Sequence, residues 1–216
     1  MNVYEQMKEA IITGRYKQGE RLTEEALTID WNVSRTPIRS ALKQLEFDGL
    51  VQPLKRGFFV RAFSKEDLRQ IYDLRALLES YGAGQAALHH QSEDLAAIQQ
   101  ANSQYEQAIL ASSLPHEERI SAVIAANTQF HDAVYRASRN RHIQELIAKV
   151  VVLPFIYRSF YWFGEDGLQQ SLAAHKTIVA AIEERDGERA KAAMNEHIFK
   201  GRDYVLHYYE GGDKFG

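Results

Sequence analysis

Residues 33–60, VSRTPIRSALKQLEFDGLVQPLKRGFFV, decide the fold of the N-terminal part of this chain. Ser34 or Thr36 can cap the free N–H groups that open a helix, and Pro37 suits a first helical turn. Apolar residues then recur every three or four positions, which predicts an amphipathic helix over about 36–47. Two extended runs, 50–54 and 58–61, flank Lys55-Arg56-Gly57 and predict a β-hairpin with a basic tip. Together, the helix and the hairpin predict a winged helix.

Positive charge is concentrated in the same stretch. Residues 34–61 contain six cationic and two acidic side chains, whereas the whole chain has a formal net charge of −3. A solvated helix face is the plainer explanation of most charge runs, and it stays open for Arg35, Arg39 and Lys43. The clustering favours contact with DNA, because a basic patch attracts the phosphate backbone.

The motifs GERL (19–22), SRTPIR (34–39) and RGFFV (56–60) resemble the winged helix-turn-helix of the GntR family. The resemblance implies that the helix after Ser34 enters the major groove and that the Arg56-Gly57 tip reaches the minor groove. Arginine can form two hydrogen bonds with a guanine edge, and the backbone N–H groups at a helix N-terminus can bind phosphate. Thr28 and Trp31-Asn32 differ from the residues that are usual in the family at these positions. We therefore expect a slightly different turn before the helix that follows Ser34. The residues expected to contact DNA are Ser34, Arg35, Thr36, Arg39, Lys43, Arg56 and Gly57.

Composition limits the remaining options. The 216 residues contain no cysteine, which excludes disulfides and any thiolate metal site. No run of eighteen apolar residues occurs, and the N-terminus has no apolar signal-peptide core, so we expect a cytoplasmic protein without membrane contact. Residues 1–62 have a net charge of +2 and the rest −5. An acidic C-terminal part is expected to serve dimerisation or sensing.

The fold class expected is mostly α: an N-terminal winged helix-turn-helix, residues 1–62, and a C-terminal antiparallel six-helix bundle, residues 63–216. Ser64 is the expected N-cap of the first bundle helix. Upstream helices are expected at about 2–13 and 23–30. Apolar periodicity predicts the bundle helices at about 65–88, 93–112, 116–138, 141–162, 168–185 and 187–209.

Three of these bundle helices have a histidine on an apolar face. Stripes at three- and four-residue spacing contain Asn127 and His131, then His175 among Leu168, Leu172, Val179 and Ile182, then His197. A lone histidine on such a face is usually a core residue, but one on each of three helices favours a shared site. Three imidazoles and an amide oxygen would suit Zn, Ni, Co or Fe.

The spacing of these residues resembles the FCD ligand-binding domain in the FadR branch of GntR regulators. That resemblance implies a metal held by Asn127, His131, His175 and His197, with Zn or Ni favoured, and an organic acid bound beside it. The family most often has Asp at the position of Asn127. Asparagine adds no negative charge, so we hypothesise that metal and a carboxylate effector bind cooperatively.

Two arginines occur among apolar neighbours and need a partner. Arg75 has Glu79 one turn further on, and either this carboxylate or that of a ligand could pair with it. Arg158 has the same two options. The residues expected to contact the effector are Arg75, Glu79, Tyr135 and Arg158.

The function expected is that of a homodimeric repressor whose bundle senses a small organic acid and which binds a palindromic operator. One alternative is a DNA-binding dimer with a metal-free polar pocket or a purely structural bundle. A metalloenzyme is the less favoured alternative, because the sequence lacks the Glu-x-x-His repeats of a di-iron bundle.

Overall fold

The computed structural model describes residues 2–150, 160 and 163–209, except for the side chain of Lys149. The chain forms two compact units: of the described residues, the first contains residues 2–67 and Tyr209, and the second contains residues 68–150, 160 and 163–208. No helix among the described residues is long and apolar enough to cross a membrane.

The N-terminal unit is a winged helix-turn-helix, as the sequence predicts. Its helices are α1 (Val3–Ile12), α2 (Glu24–Trp31) and α3 (Arg35–Phe47). Three short antiparallel strands, β1 (Arg21–Leu22), β2 (Val51–Pro53) and β3 (Phe58–Val60), form a sheet in the order β1-β3-β2. Strand β1 was not predicted, because two residues are too few to show alternation.

Helix α3 is held by one buried apolar face. Ile38, Leu42 and Leu45 are fully buried in a cluster that also contains Met7 of α1 and Leu27 of α2. Asn32 ends α2 in the left-handed conformation, which makes the turn into α3. The expected side-chain cap is absent: Ser34 occupies the N-cap position, but its hydroxyl oxygen accepts no hydrogen bond from the helix backbone.

The hairpin between β2 and β3 is closed by a hydrogen bond from Leu54 N to Gly57 O of 2.9 Å. Gly57 has a φ of +89°, and a Cβ at this position would lie 2.5 Å from the Leu22 carbonyl oxygen. The Arg21 guanidinium also donates to the Arg56 carbonyl at 2.9 Å. Strand β1 therefore holds the hairpin in place.

Six helices form the described part of the C-terminal unit, as expected from the sequence. Packing between neighbours is closest for α5 (Ser92–Leu110) with α6 (His116–Ala137) and α8 (Glu165–Glu183), and for α8 with α9 (Gly187–Tyr208). Ser64 and Asp67 exchange hydrogen bonds at the start of the first helix, which confirms the predicted cap. The helix predicted over 141–162 is described as far as Val150; its further residues, except Phe160, lie outside the described residues. The helices are α4 (Lys65–His89), α5 (Ser92–Leu110), α6 (His116–Ala137), α7 (Arg141–Val150), α8 (Glu165–Glu183) and α9 (Gly187–Tyr208).

Candidate metal centre and DNA-binding surface

Three histidines from three helices meet inside the helical unit. His131 of α6, His175 of α8 and His197 of α9 place their potential ligand atoms within 4.8 Å of one another. The Nε2 atom of His197 lies 3.3 Å from Nε2 of His131 and 3.3 Å from Nε2 of His175. The predicted set of histidines therefore shares one location.

Burial keeps the imidazoles of His175 and His197 uncharged at neutral pH. His175 is fully buried and His131 nearly so, while His197 is partly exposed. Burial, with the neighbouring histidines, lowers the pKa of His175 well below its usual range, and it lowers that of His197 to about 3. Neutral imidazole is the form that binds a metal ion.

Aromatic packing fixes the ring of His175. It stacks on Phe130 with a centroid separation of 3.9 Å and an interplanar angle of 15°. Tyr105 packs against it at 4.7 Å, and the Tyr105 hydroxyl donates to Ser171 at 3.0 Å. Because Phe130 and Tyr105 are themselves fully buried, His175 has little freedom to turn away from the other two rings.

His131 is fixed through its other nitrogen. Its Nδ1 lies 2.9 Å from Oε2 of Glu79, and the Tyr135 hydroxyl also donates to that oxygen. The other carboxylate oxygen accepts from Nε of Arg75 at 2.7 Å. Burial alone raises the pKa of Glu79, but the charge of Arg75 and the bonds from His131 and Tyr135 outweigh it, and the pKa falls well below its usual range. Glu79 is therefore an ionised carboxylate with no exposed surface.

The donor set fits a divalent transition-metal ion. Without a cation, three Nε2 atoms face one another, and a neutral imidazole has one ring proton to place on either nitrogen. A metal ion would accept three lone pairs at once and remove this conflict. Nitrogen-only donation of this kind suits Zn or Ni, and a three-histidine site leaves a coordination position for another ligand.

Asn127 lies on the same helix as His131, four residues earlier, and is buried. Its position allows its side chain to face the same side of α6 as His131.

On α8, one residue of the predicted buried face is wrong. The sequence placed Val179 on this face, but Ile178 is the buried residue there and Val179 is partly exposed.

The residues expected to contact an effector separate into two groups. Arg75, Glu79 and Tyr135 form one buried network directly behind His131. Both oxygens of Glu79 accept hydrogen bonds from protein donors. Arg75 uses only its Nε in a hydrogen bond to another residue, within the part of the chain that the structure describes. Arg158 lies outside the described residues.

The residues expected to contact DNA cluster on the exposed side of α3 and on the hairpin. Arg39 pairs with Glu24 of α2, with its Nε and Nη2 each 2.9 Å from a carboxylate oxygen. This pairing was not predicted, since Glu24 and Arg39 are fifteen residues apart and their contact depends on the angle between α2 and α3. Gly57 is partly exposed. The exposed members are Ser34, Arg35, Thr36, Arg39, Lys43 and Arg56.

The role of Glu79 at His131 was also missed by sequence reasoning. The Arg75/Glu79 spacing of four residues signals an intrahelical ion pair, and the structure contains it. Nothing in the local sequence indicates that the same carboxylate accepts from a histidine 52 positions away on α6. Phe130 precedes a candidate ligand, but its stacking on His175 likewise depends on the packing of two helices.

Comparisons with known proteins identify the family of both parts of the chain. Residues 1–60 match the gntR family of bacterial regulatory proteins, and residues 70–200 match the FCD domain. An uncharacterized HTH-type transcriptional regulator of Bacillus subtilis, YdhC, is 29% identical over 213 residues, which cover 98% of this chain and 93% of the relative. The HTH-type transcriptional repressor GlaR of Escherichia coli is 26% identical over 205 residues, 90% of each chain.

The fold is also that of a solved structure. The E. coli protein McbR/YncC superposes with a TM-score of 0.76 at 23% identity, covering 96% of this chain and 97% of that one. The family and these relatives are regulators of transcription rather than enzymes. The chain belongs to the gntR family of bacterial regulatory proteins and carries an FCD domain.

Proposed function

We propose that this regulator is a homodimeric repressor that binds a palindromic operator and senses a small organic acid at a metal ion held by His131, His175 and His197. The observation that carries the proposal is the convergence of three Nε2 atoms inside the helical unit. Such a site is a Lewis acid with an open position, and a carboxylate oxygen is a suitable ligand for it.

DNA contact is assigned to α3 and the hairpin. Arg35, Lys43 and Arg56 have exposed side chains on these two elements, and the family is one of DNA-binding regulators. Two copies related by a two-fold axis would place their α3 helices in successive major grooves, about 34 Å apart. Repression is proposed because relatives such as GlaR are named repressors. The target is chromosomal DNA, so the proposed location is the cytoplasm.

The DNA-binding test starts from operator half-sites selected out of random duplexes. Arg35→Ala should weaken binding to the selected duplex and lower the salt slope by about 1, because one phosphate or base contact is lost. Arg141→Ala, which removes an exposed arginine from the helical unit, is the matched control. Equal binding by both variants and the wild type would contradict the assignment of Arg35.

Metal and ligand are tested on protein purified without an affinity tag. Elemental analysis and calorimetric titration should find one Zn or Ni per chain, and His197→Gln should abolish tight binding because two imidazoles remain. Mass spectrometry of the native protein should find a small mono- or dicarboxylate. A thermal shift with acids but none with metals would favour a metal-free pocket, and a shift with neither would favour a purely structural bundle.

The charge of the pocket makes metal and acid interdependent in this proposal. Arg75 balances Glu79, and neither an amide nor an imidazole brings negative charge to a metal ion, so the bound cation lacks an anionic ligand from the protein residues assigned here. The Asn127→Asp variant should therefore bind metal more tightly than the wild type in the absence of acid. Unchanged metal affinity would exclude Asn127 as a ligand.

A further inference from the structure

Glu79 occupies an unusual position between a buried arginine and a candidate metal ligand. It has no exposed surface, and three donors converge on its two oxygens. Nε of Arg75 lies 2.7 Å from Oε1, Nδ1 of His131 lies 2.9 Å from Oε2, and the Tyr135 hydroxyl shares Oε2. Both carboxylate oxygens are thus engaged by protein donors.

This contact determines where His131 carries its proton. An ionised carboxylate accepts hydrogen bonds and cannot donate them, so the atom facing it must be an N–H. The Tyr135 hydroxyl, 3.2 Å from the same Nδ1, uses its single proton on Glu79. In the neutral ring the proton therefore sits on Nδ1, and the lone pair of Nε2 points at His197, 3.3 Å away.

We infer that Glu79 is a positioning residue that fixes the tautomer and orientation of His131, so that Nε2 is ready for a metal ion. The inference rests on the proposed function for its consequence, which is metal affinity. The tautomer itself is a property of the metal-free protein. Carboxylate partners of ligating histidines are a general means of raising ligand basicity and holding ring orientation.

Arg75 supports the same arrangement, because its Nε donates to Oε1 of Glu79 and leaves Oε2 for His131. Its guanidinium also packs over the Tyr72 ring, with the central carbon 4.7 Å from the centroid. In Glu79→Gln, Arg75 would claim the one amide oxygen. The amide NH₂ group would then face His131 and favour the tautomer with the proton on Nε2, which blocks that atom for a metal ion.

The first experiment measures the ring tautomer in metal-free protein by long-range ¹H–¹⁵N correlation NMR. The His131 signals are assigned by their loss in His131→Gln. The wild type should show the Nδ1–H form, and Glu79→Gln should shift His131 toward the Nε2–H form. A wild-type His131 in the Nε2–H form would overturn the inference, whatever the behaviour of Glu79→Gln.

The second experiment measures Zn and Ni affinity by competition with a chelator. Glu79→Gln should weaken binding by about 10- to 100-fold, the usual effect of losing such a partner. The double variant Arg75→Met/Glu79→Gln, which has no buried charge, should recover part of this loss, because the amide oxygen is free to face Nδ1 again. Glu165→Gln removes a carboxylate that pairs with Arg119 and should bind metal like the wild type.

The outcomes separate the two proposals. A wild type with the Nδ1–H tautomer that binds neither Zn nor Ni would contradict the metal site and leave the tautomer assignment standing. If Glu79→Gln leaves the His131 tautomer unchanged and keeps the metal affinity within about twofold of wild type, the positioning role is contradicted. Glu79 would then be only the ion-pair partner of Arg75. Failure of the double variant to regain affinity over Glu79→Gln would contradict the competition for the amide oxygen.

Discussion

At the scale of single residues, Gly57 shows how one backbone conformation restricts the choice of side chain. Its φ of +89° lies in the left-handed region, and the Leu22 carbonyl oxygen occupies the space of a Cβ at 2.5 Å. Gly19 has a similar φ of +77° but no atom within 4 Å of the Cβ position. Substitutions at these two glycines therefore separate the cost of backbone strain from the cost of steric overlap.

We predict that Gly57→Ala destabilises the N-terminal unit by about 2–3 kcal/mol, and Gly19→Ala by about 1 kcal/mol, since strain alone acts in the second case. Urea unfolding gives both values. Binding to the selected operator should weaken in Gly57→Ala, because the hairpin must move away from β1. Equal destabilisation by the two substitutions would show that the Leu22 contact has no energetic role.

At the scale of elements, the start of α5 is set by the carboxylate of Asp94 in its first turn. This carboxylate accepts a hydrogen bond from Gln91 N at 2.9 Å. Arg139, which follows α6, donates to the same carboxylate through Nε at 3.0 Å. One carboxylate thus caps α5 and ties it to the end of α6, its closest neighbour.

Stability should depend on the ionisation of Asp94. Burial alone raises its pKa, but the bonds from Gln91 and Arg139 outweigh it, and the net shift is downward. The contribution of Asp94 is therefore complete above its unfolded pKa of about 4 and is lost as pH falls through the lower folded value.

We predict that Asp94→Ala costs about 1 kcal/mol at pH 7 and that the difference from wild type shrinks below about pH 4. Urea unfolding between pH 7 and pH 3 measures it. Glu93→Ala, an exposed acidic residue in the same turn, is the control and should change stability by a few tenths of a kcal/mol at most. A difference for Asp94→Ala that stays constant down to pH 3 would contradict the role of its charge.

At the scale of the whole molecule, the residues proposed to contact DNA belong to the first unit, and the histidines proposed to hold a metal ion belong to the second. A ligand that binds the folded state stabilises it by about 2.7 kcal/mol at one hundred times its Kd. Because α6, α8 and α9 supply the histidines, a bound ion links three helices that are distant in sequence.

We predict that Zn or Ni slows backbone amide exchange chiefly in α6, α8 and α9 of the full chain, and that it raises the Tm of the protein. Hydrogen exchange with mass spectrometry locates the protection, and His197→Gln provides the control in which it should disappear. Protection of α3 equal to that of α8 would contradict a metal ion confined to the histidines.

The sequence by itself determined the helices, the hairpin and the candidate residues. Apolar periodicity and cap residues are local properties, so they predicted the helices, the hairpin and the three histidine-bearing faces. The tertiary structure alone decided the partners: Glu79 with His131, Phe130 with His175, Glu24 with Arg39, and β1 beside β3. Each of these contacts joins residues that are distant in sequence or depends on how helices pack, and local spacing holds no information on the distance and angle between packed elements.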